Sequence, residues 1–265
     1  PIYVSYPNNE NIKKILERFV TTIPNYDFKS FDNSHHKLWC INNKNEIELI
    51  SKEISIIKTL YIADGHHRMG AMNIISNSLR KKNINSHDFM VAAFPADECK
   101  IYDYNRVIKD LNGLSENEFL NKLKTNFKIK LEIAPFKPSK VNEFGMYHKG
   151  KWHSLLFKGD NLNESNILAL LDINIINNYC LIPILAIEDV NNDERIRFIA
   201  GCHGLEALKK KVDQNNDSVA FSIFPSLIED VMKVADNNLT MPPKSTWFDP
   251  KPLDGLVVYE FNQES

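Results

Sequence analysis

The spacing of apolar residues changes repeatedly along the chain, and each change predicts a new element. Residues 2–6 have the composition and pattern of a β-strand. After them, apolar side chains recur every three or four positions until Pro24, which predicts an amphipathic helix that the proline ends. This helical stripe consists of Ile12, Ile15, Leu16, Phe19, Val20 and Ile23.

Both kinds of pattern continue to the end of the chain. Strands are predicted over residues 28–31, 37–41, 59–63, 89–94, 101–107, 127–133, 144–148, 152–157, 195–200, 219–224 and 256–261. Helices are predicted over residues 46–54, from residue 66 onward, and over 115–125, 164–179, 204–212 and 227–235. The helix at 115 is supported by the capping-box spacing of Ser115 and Glu118.

The elements mix without a regular βαβ rhythm, so we predict an α+β fold with mixed sheets and flanking helices. A composition change after Pro95 suggests a first region over residues 1–95 and a second over 96–265, although a single domain of this length is equally possible. A net charge of −2 argues against a nucleic-acid partner. No apolar run is long enough for a membrane helix and no signal peptide opens the chain, so we expect a cytoplasmic protein.

Four cysteines are scattered along the chain without C-x-x-C spacing, so we expect free, mostly buried thiols and no zinc site. Cys202 stands beside His203, but sequence neighbours rarely face each other, and we do not favour a cysteine nucleophile.

The chemistry concentrates in the sequence Asp64-Gly65-His66-His67-Arg68, where a β-prone run meets the start of a helical pattern. A helix start leaves backbone N–H groups unpaired, and its dipole and a nearby arginine favour a phosphate. We therefore predict that Gly65 and Arg68 bind phosphate and that Asp64, His66 and His67 supply acid–base groups. The alternative is a structural turn with a solvated arginine and a capping histidine.

These residues resemble the phosphate-binding motif of the ParB/sulfiredoxin-like superfamily. Over nearly its whole length the chain also resembles the domain-of-unknown-function family ten-fifteen. That resemblance rests on residues 61–68, 93–97, 102–107, 145–147, 171–172, 183–185, 220–221 and 241–248. Family members carry more chain before the position of Pro1, so the resemblance implies that the region over 1–95 is incomplete at its N-terminus.

The superfamily contains nucleotide hydrolases, redox enzymes that activate phosphate, and kinases of free serine. The resemblance implies a nucleotide-dependent phosphotransferase that acts on a small metabolite such as serine. It also implies ATP or ADP as the nucleotide and a Mg²⁺ ion held by Asp64. Two alternatives stay open: a non-catalytic nucleotide-binding regulatory module of the ParB type, and a small-molecule phosphatase. Sulfiredoxin-like proteins have a cysteine where this chain has His66, so we expect no sulfinic acid reduction.

A second candidate cluster lies in the proline-stiffened sequence that contains Lys244, Ser245 and Thr246. An ammonium group and two hydroxyls can bind phosphate, and we predict that they share one pocket with the Asp64 motif. The alternative is a rigid surface loop around a buried tryptophan. Arg106 could add a phosphate contact, or it could be a solvated arginine on an edge strand. The sequence does not indicate the oligomeric state.

Overall fold

The computed structural model describes residues 1–31, 33–80, 89–159, 162, 165–215 and 218–259, and it divides into two compact units. Unit 1 comprises Pro1–Cys99 and the segment from Pro252, and unit 2 comprises Lys100–Lys251. Each unit combines strands with helices, which confirms the predicted α+β class. Within the described ranges, no helix has both the length and the apolar character needed to cross a bilayer.

Unit 1 is built around a short mixed sheet. Its strands are β1 Ile2–Tyr6, β2 Tyr26–Lys29, β3 His35–Leu38, β4 Tyr61–Asp64 and β5 Val91–Pro95, and its helices are α1 Glu10–Val20, α2 Lys44–Ser55 and α3 His66–Arg80. The fully buried β1 is the middle strand, antiparallel to β4 and parallel to β5. Strands β2 and β3 form a separate antiparallel pair.

Helix α1 confirms the predicted helix but buries only part of its apolar stripe, since Leu16 and Val20 are exposed and Ile23 lies beyond the helix end. The side chain of Asn9 caps the helix, accepting hydrogen bonds from the N–H groups of Asn11 and Ile12. Ile12 and Ile15 are buried, and the helix ends at Val20, before the proline.

Unit 2 contains a six-stranded sheet in which every neighbouring pair is antiparallel. Unit 2 as a whole has eight strands, which are β6 Lys100–Tyr102, β7 Tyr104–Ile108, β8 Phe127–Glu132, β9 Glu143–His148, β10 Lys151–Phe157, β11 Ile196–Ala200, β12 Val219–Ile223 and β13 Trp247–Asp249. Its helices are α4 Glu116–Asn126, α5 Asp172–Ile176, α6 Gly204–Asp213 and α7 Ile228–Asp236. The sheet order is β11-β7-β12-β9-β10-β8, and β6 pairs separately with β13.

Alternation along β7 divides the core of unit 2 between the two faces of this sheet. Ile108 belongs to the larger apolar cluster, which also contains Phe119 of α4. Val107 faces the opposite way and packs with Leu208 and Val212 of α6. Helix α6 is therefore fixed on one face of the sheet, close to its edge strand β11.

Three predicted elements were wrong. The strand over 101–107 is two strands, because Asp103 separates β6, which pairs with β13, from β7, which pairs with β11 and β12. The helix over 164–179 is broken at Leu171, whose extended backbone separates a turn of 3₁₀-helix from α5 and a following turn of π-helix; residue 164 lies outside the described residues. Residues 256–259 form no strand, and 260–261 are not described.

Candidate functional site

The predicted phosphate motif lies at the junction between β4 and α3, as its sequence pattern indicated. Strand β4 ends at Asp64 and helix α3 begins at His66, with Gly65 between them in the left-handed region at φ +96°. The guanidinium of Arg68 folds back over this glycine: a Cβ atom added to Gly65 would lie 2.9 Å from Arg68 Nη2. The positive φ is the reason that this turn favours glycine.

The polar groups of this junction are open to solvent. Arg68 Nη2 lies 3.4 Å from Asp64 Oδ2, and the two side chains are 53% and 45% exposed. His66 and His67 are exposed as well. Unit 1 therefore presents two imidazoles, a carboxylate and a guanidinium around one helix start, where N–H groups lack helical partners. A phosphate site and a solvated turn both fit this exposure, and they differ in how ligand affinity depends on Arg68.

The second cluster lies in unit 2 and is organised by a buried arginine. Arg106 has no exposed surface. Its Nη2 donates to the carbonyl oxygen of Lys244 at 2.9 Å, its Nη1 donates to the carbonyl oxygen of Tyr104, and its guanidinium lies 4.9 Å from the ring centre of Phe198. Burial lowers the pKa of Arg106 to about 9, so the group still carries its charge at neutral pH. The alternative of a solvated edge-strand arginine was wrong.

The loop held by Arg106 carries the remaining predicted phosphate ligands. Lys244 has a left-handed backbone at φ +52°, and its Nζ lies 6.0 Å from the ring centre of Tyr104. Ser245 is 7% exposed, whereas Thr246 and Trp247 are partly exposed. The structure thus joins Arg106 to Lys244 within unit 2. A pocket shared between this loop and the Asp64 motif of unit 1 stays a prediction.

Beside the loop, the surface of unit 2 contains a cleft that the sequence reasoning missed. Its volume is about 500 Å³, and it lies between an aromatic wall and helix α6. The wall consists of Tyr104, Phe198 and Trp247, with ring centres 6.2 and 5.8 Å apart along the row, and α6 contributes Lys210 and Lys211. We call this the aromatic–basic cleft. The three rings come from β7, β11 and β13, which no sequence pattern places together.

Unit 2 also contains two buried carboxyl groups that sequence reasoning did not select. Asp172 is 8% exposed, and burial, together with the nearby carboxylates of Asp230 and Glu143, raises its pKa to about 7. Asp103 is 3% exposed, and burial raises its pKa as well. Neither carboxyl reaches the surface, so we assign both to the structure of the unit.

The cysteines do not form a site. Cys180 is buried, but Cys40 and Cys202 are exposed, so the expectation of mostly buried thiols was wrong. Among the described residues, no group of three His, Cys, Asp or Glu side chains is arranged to hold a metal ion. A magnesium ion at Asp64 would have one protein carboxylate and would need phosphate oxygens to complete its coordination.

Three of the solved structures that are similar to the chain share little sequence with it. A free serine kinase mutant in complex with AMP matches with a TM-score of 0.39 and 15% identity over 93% of this chain and 83% of that chain. SbnI from Staphylococcus aureus matches with a TM-score of 0.42 and 9% identity over 96% of this chain and 80% of that chain. A conserved hypothetical protein from Pyrococcus furiosus has a TM-score of 0.37 and 14% identity, over 93% of this chain and 86% of that chain.

No curated protein matches the chain. The model of the family described as Protein of unknown function (DUF1015) matches residues 1–174 of the 265. Because this match covers well over half of its length, the chain belongs to the DUF1015 family.

Proposed function

We propose that this protein is a phosphotransferase that moves a phosphoryl group from ATP or ADP to the hydroxyl of a small metabolite such as serine. The observation that carries the proposal is the β4–α3 junction. Gly65 lets the chain turn into helix α3 with the guanidinium of Arg68 over the turn, so a positive charge and the N–H groups of a helix start lie together where an anion can reach them.

The groups around this anion site match the steps of phosphoryl transfer. The bond between the terminal phosphorus and its bridging oxygen breaks, and the acceptor hydroxyl forms the new P–O bond. The hydroxyl proton passes to a base, for which His66, His67 and Asp64 are the candidates. Histidine suits this role because it exchanges protons near neutral pH. Arg68 stabilises the charge on the equatorial oxygens of the transferring group, and the nucleoside phosphate leaves with its bridging oxygen.

Magnesium fits the donor set at this junction only together with the nucleotide. Asp64 supplies one half-exposed carboxylate, and Mg²⁺ commonly binds through one or two carboxylates plus substrate phosphates. We therefore expect the ion to enter with the nucleotide.

The test is turnover. The full chain is incubated with Mg²⁺, serine and either ATP or ADP, and products are followed by ³¹P NMR; a pool of other hydroxyl metabolites is then substituted for serine. A phosphate ester of the acceptor, lost in Asp64→Asn, supports the proposal. Release of inorganic phosphate without an ester points to a hydrolase or phosphatase. Nucleotide binding without consumption points to a regulatory module, which is the main alternative.

A further inference from the structure

The aromatic–basic cleft has the size and the walls of a small-molecule site. Its volume of about 500 Å³ lies within the roughly 300–1,000 Å³ typical of ligand pockets. Tyr104, Phe198 and Trp247 are all partly exposed, so a flat ring can contact this wall without moving it. A second cavity of about 440 Å³ continues from the first, and Lys211 lines both.

The floor of the cleft is the open edge of a sheet. Strand β11 is the first in the sheet order, and no described strand pairs with its outer side. The N–H of Gly201 donates to the carbonyl of Asp103 at 2.7 Å, so odd-numbered residues of this strand are the ones bonded to β7. Phe198 therefore directs its N–H and C=O groups outward and Ala200 its N–H, whereas the carbonyl of Ala200 caps the helical turn Gly201–His203. Both residues line the cleft. A ring with hydrogen-bonding atoms on its edge would satisfy them.

The charges around the cleft are all positive and unneutralised. Arg197, Lys211 and Lys244 line the second cavity, and Lys210 lines the first. None of these four forms an ion pair with a residue in the described part of the chain, whereas Lys209, on the same helix α6, lies 2.6 Å from Asp213. With a net charge of −2 over the whole sequence, such a cluster is a local feature and favours an anionic ligand.

We propose that the aromatic–basic cleft binds a nucleotide, with the base against the aromatic wall and the phosphates at Lys211. The base edge bonds the outward N–H and C=O groups of Phe198 and the N–H of Ala200, and the phosphates extend into the second cavity toward Arg197 and Lys244. This proposal rests on the proposed function only for the choice of a nucleotide as the ligand.

An extended acidic peptide added to β11 is the competing occupant, since edge strands and cations suit it too. The planes of neighbouring rings cross at 86° and 66°, so a base stacks on one ring, such as that of Trp247, and meets the others at its edge. The aromatic row still favours the nucleotide, because strand addition uses only the backbone edge and no ring. Cations that merely protect an edge strand would require neither the cavity nor the aromatic wall.

The test separates the two halves of the ligand. ADP, adenosine and inorganic pyrophosphate are titrated into the full chain by calorimetry. Trp247→Leu should weaken ADP and adenosine about tenfold and leave pyrophosphate unchanged, as expected for the loss of base stacking. Lys211→Gln should weaken ADP and pyrophosphate but not adenosine. Matched controls are Lys209→Gln on the same helix and Trp39→Leu in unit 1, with all variants melted to confirm folding.

The outcomes separate this inference from the proposed function. If ADP binds with these sensitivities but no nucleotide is consumed, the cleft assignment stands and the phosphotransferase proposal fails. If turnover occurs and neither Trp247→Leu nor Lys211→Gln changes the KM for nucleotide, the cleft assignment alone fails. If ADP and pyrophosphate bind with equal affinity and Trp247→Leu changes neither affinity, the cleft is a plain anion-binding surface and the nucleotide proposal is overturned. Binding of a polyglutamate peptide but not ADP overturns it in favour of strand addition.

Discussion

Arg106 and Lys244 are 138 positions apart in the sequence, and a 2.9 Å hydrogen bond joins the guanidinium of the first to the carbonyl of the second. Arg106 is fully buried, while Lys244 is exposed and has a left-handed backbone. A buried guanidinium thus bonds the backbone of a surface residue whose left-handed conformation is strained. This is the arrangement expected where a lysine must be held in position.

We expect Arg106→Lys to lower the free energy of unfolding by about 2–3 kcal/mol, because an ammonium lacks the planar fork whose two ends bond the two carbonyls, and one buried acceptor loses its partner. Urea unfolding measures this loss. Lys244→Gln keeps the backbone carbonyl and should change stability by less than about 0.5 kcal/mol. If Arg106→Lys instead keeps full stability and loses affinity for pyrophosphate, then Arg106 is a phosphate ligand as the sequence first suggested.

A second prediction concerns the glycine at the start of α3. In Gly65→Ala the backbone must hold φ near +96° with a Cβ, while the half-exposed Arg68 side chain can move away from the added atom. Such strain costs about 1–3 kcal/mol, and we expect that loss in urea unfolding.

The control for this variant is Gly70→Ala on the same helix, where an added Cβ meets nothing within 4 Å. That change should stabilise the protein by about 0.5–1 kcal/mol, since alanine suits a helix interior better than glycine. Equal effects at the two positions would contradict the role assigned to the Gly65 turn.

Some parts of this structure can be predicted from the sequence and others cannot. The β4–α3 junction was predictable because Asp64 through Arg68 are consecutive, and the helix at Ser115 because its cap and Glu118 lie within one turn. The split at Asp103 was not, since it arises from pairing with β13, more than a hundred residues away. The break at Leu171 was not predictable either, because it interrupts a segment whose apolar residues follow a helical pattern in the sequence.

The cleft shows the same limit. Its aromatic wall joins residues from three strands, and its lysines come from the exposed face of α6, where a run of lysines is ordinary surface. Only the sheet order reveals that β11 is an edge and that Phe198 faces the same space as Trp247.

A third prediction concerns pH. The folded state raises the pKa of Asp172 from 3.8 to about 7, mainly through burial, although the N–H of Asn142 opposes the shift. Between these values the folded protein holds a proton that the unfolded chain has released. Stability should therefore fall as the pH rises from about 4 to about 7, by up to about 4 kcal/mol. Urea unfolding at pH 4 and pH 8 measures the difference.

Asp172→Asn provides the comparison, because the amide oxygen can still accept from Asn142 at 2.8 Å but carries no charge. The variant should match the wild type at low pH and exceed its stability at pH 8. An identical pH dependence in both proteins would show that Asp172 does not titrate in this range.

A fourth prediction tests the close packing at Gly145 of strand β9. A Cβ there would lie 2.2 Å from Ser222 Oγ and 2.4 Å from the carbonyl oxygen of Phe136. Gly145→Ala should therefore cost about 2–3 kcal/mol of unfolding free energy. The double variant Gly145→Ala/Ser222→Ala removes only the first clash, so stability should not return. Full recovery in the double variant would show that the backbone of residue 136 moves freely.

The last prediction concerns the phosphate contact itself. If Arg68 binds phosphate with two parallel N–H donors, then Arg68→Lys is not conservative, because an ammonium is a single point of charge. We expect the affinity for ADP or pyrophosphate to fall by about 1.5–3 kcal/mol, the size of a charge-assisted hydrogen bond. The side chain is 53% exposed, so unfolding without ligand should change by less than about 0.5 kcal/mol. Titration and urea unfolding of both proteins separate the two effects. Unchanged affinity would remove Arg68 from the phosphate site, and a large loss of unliganded stability would identify the junction as a structural turn.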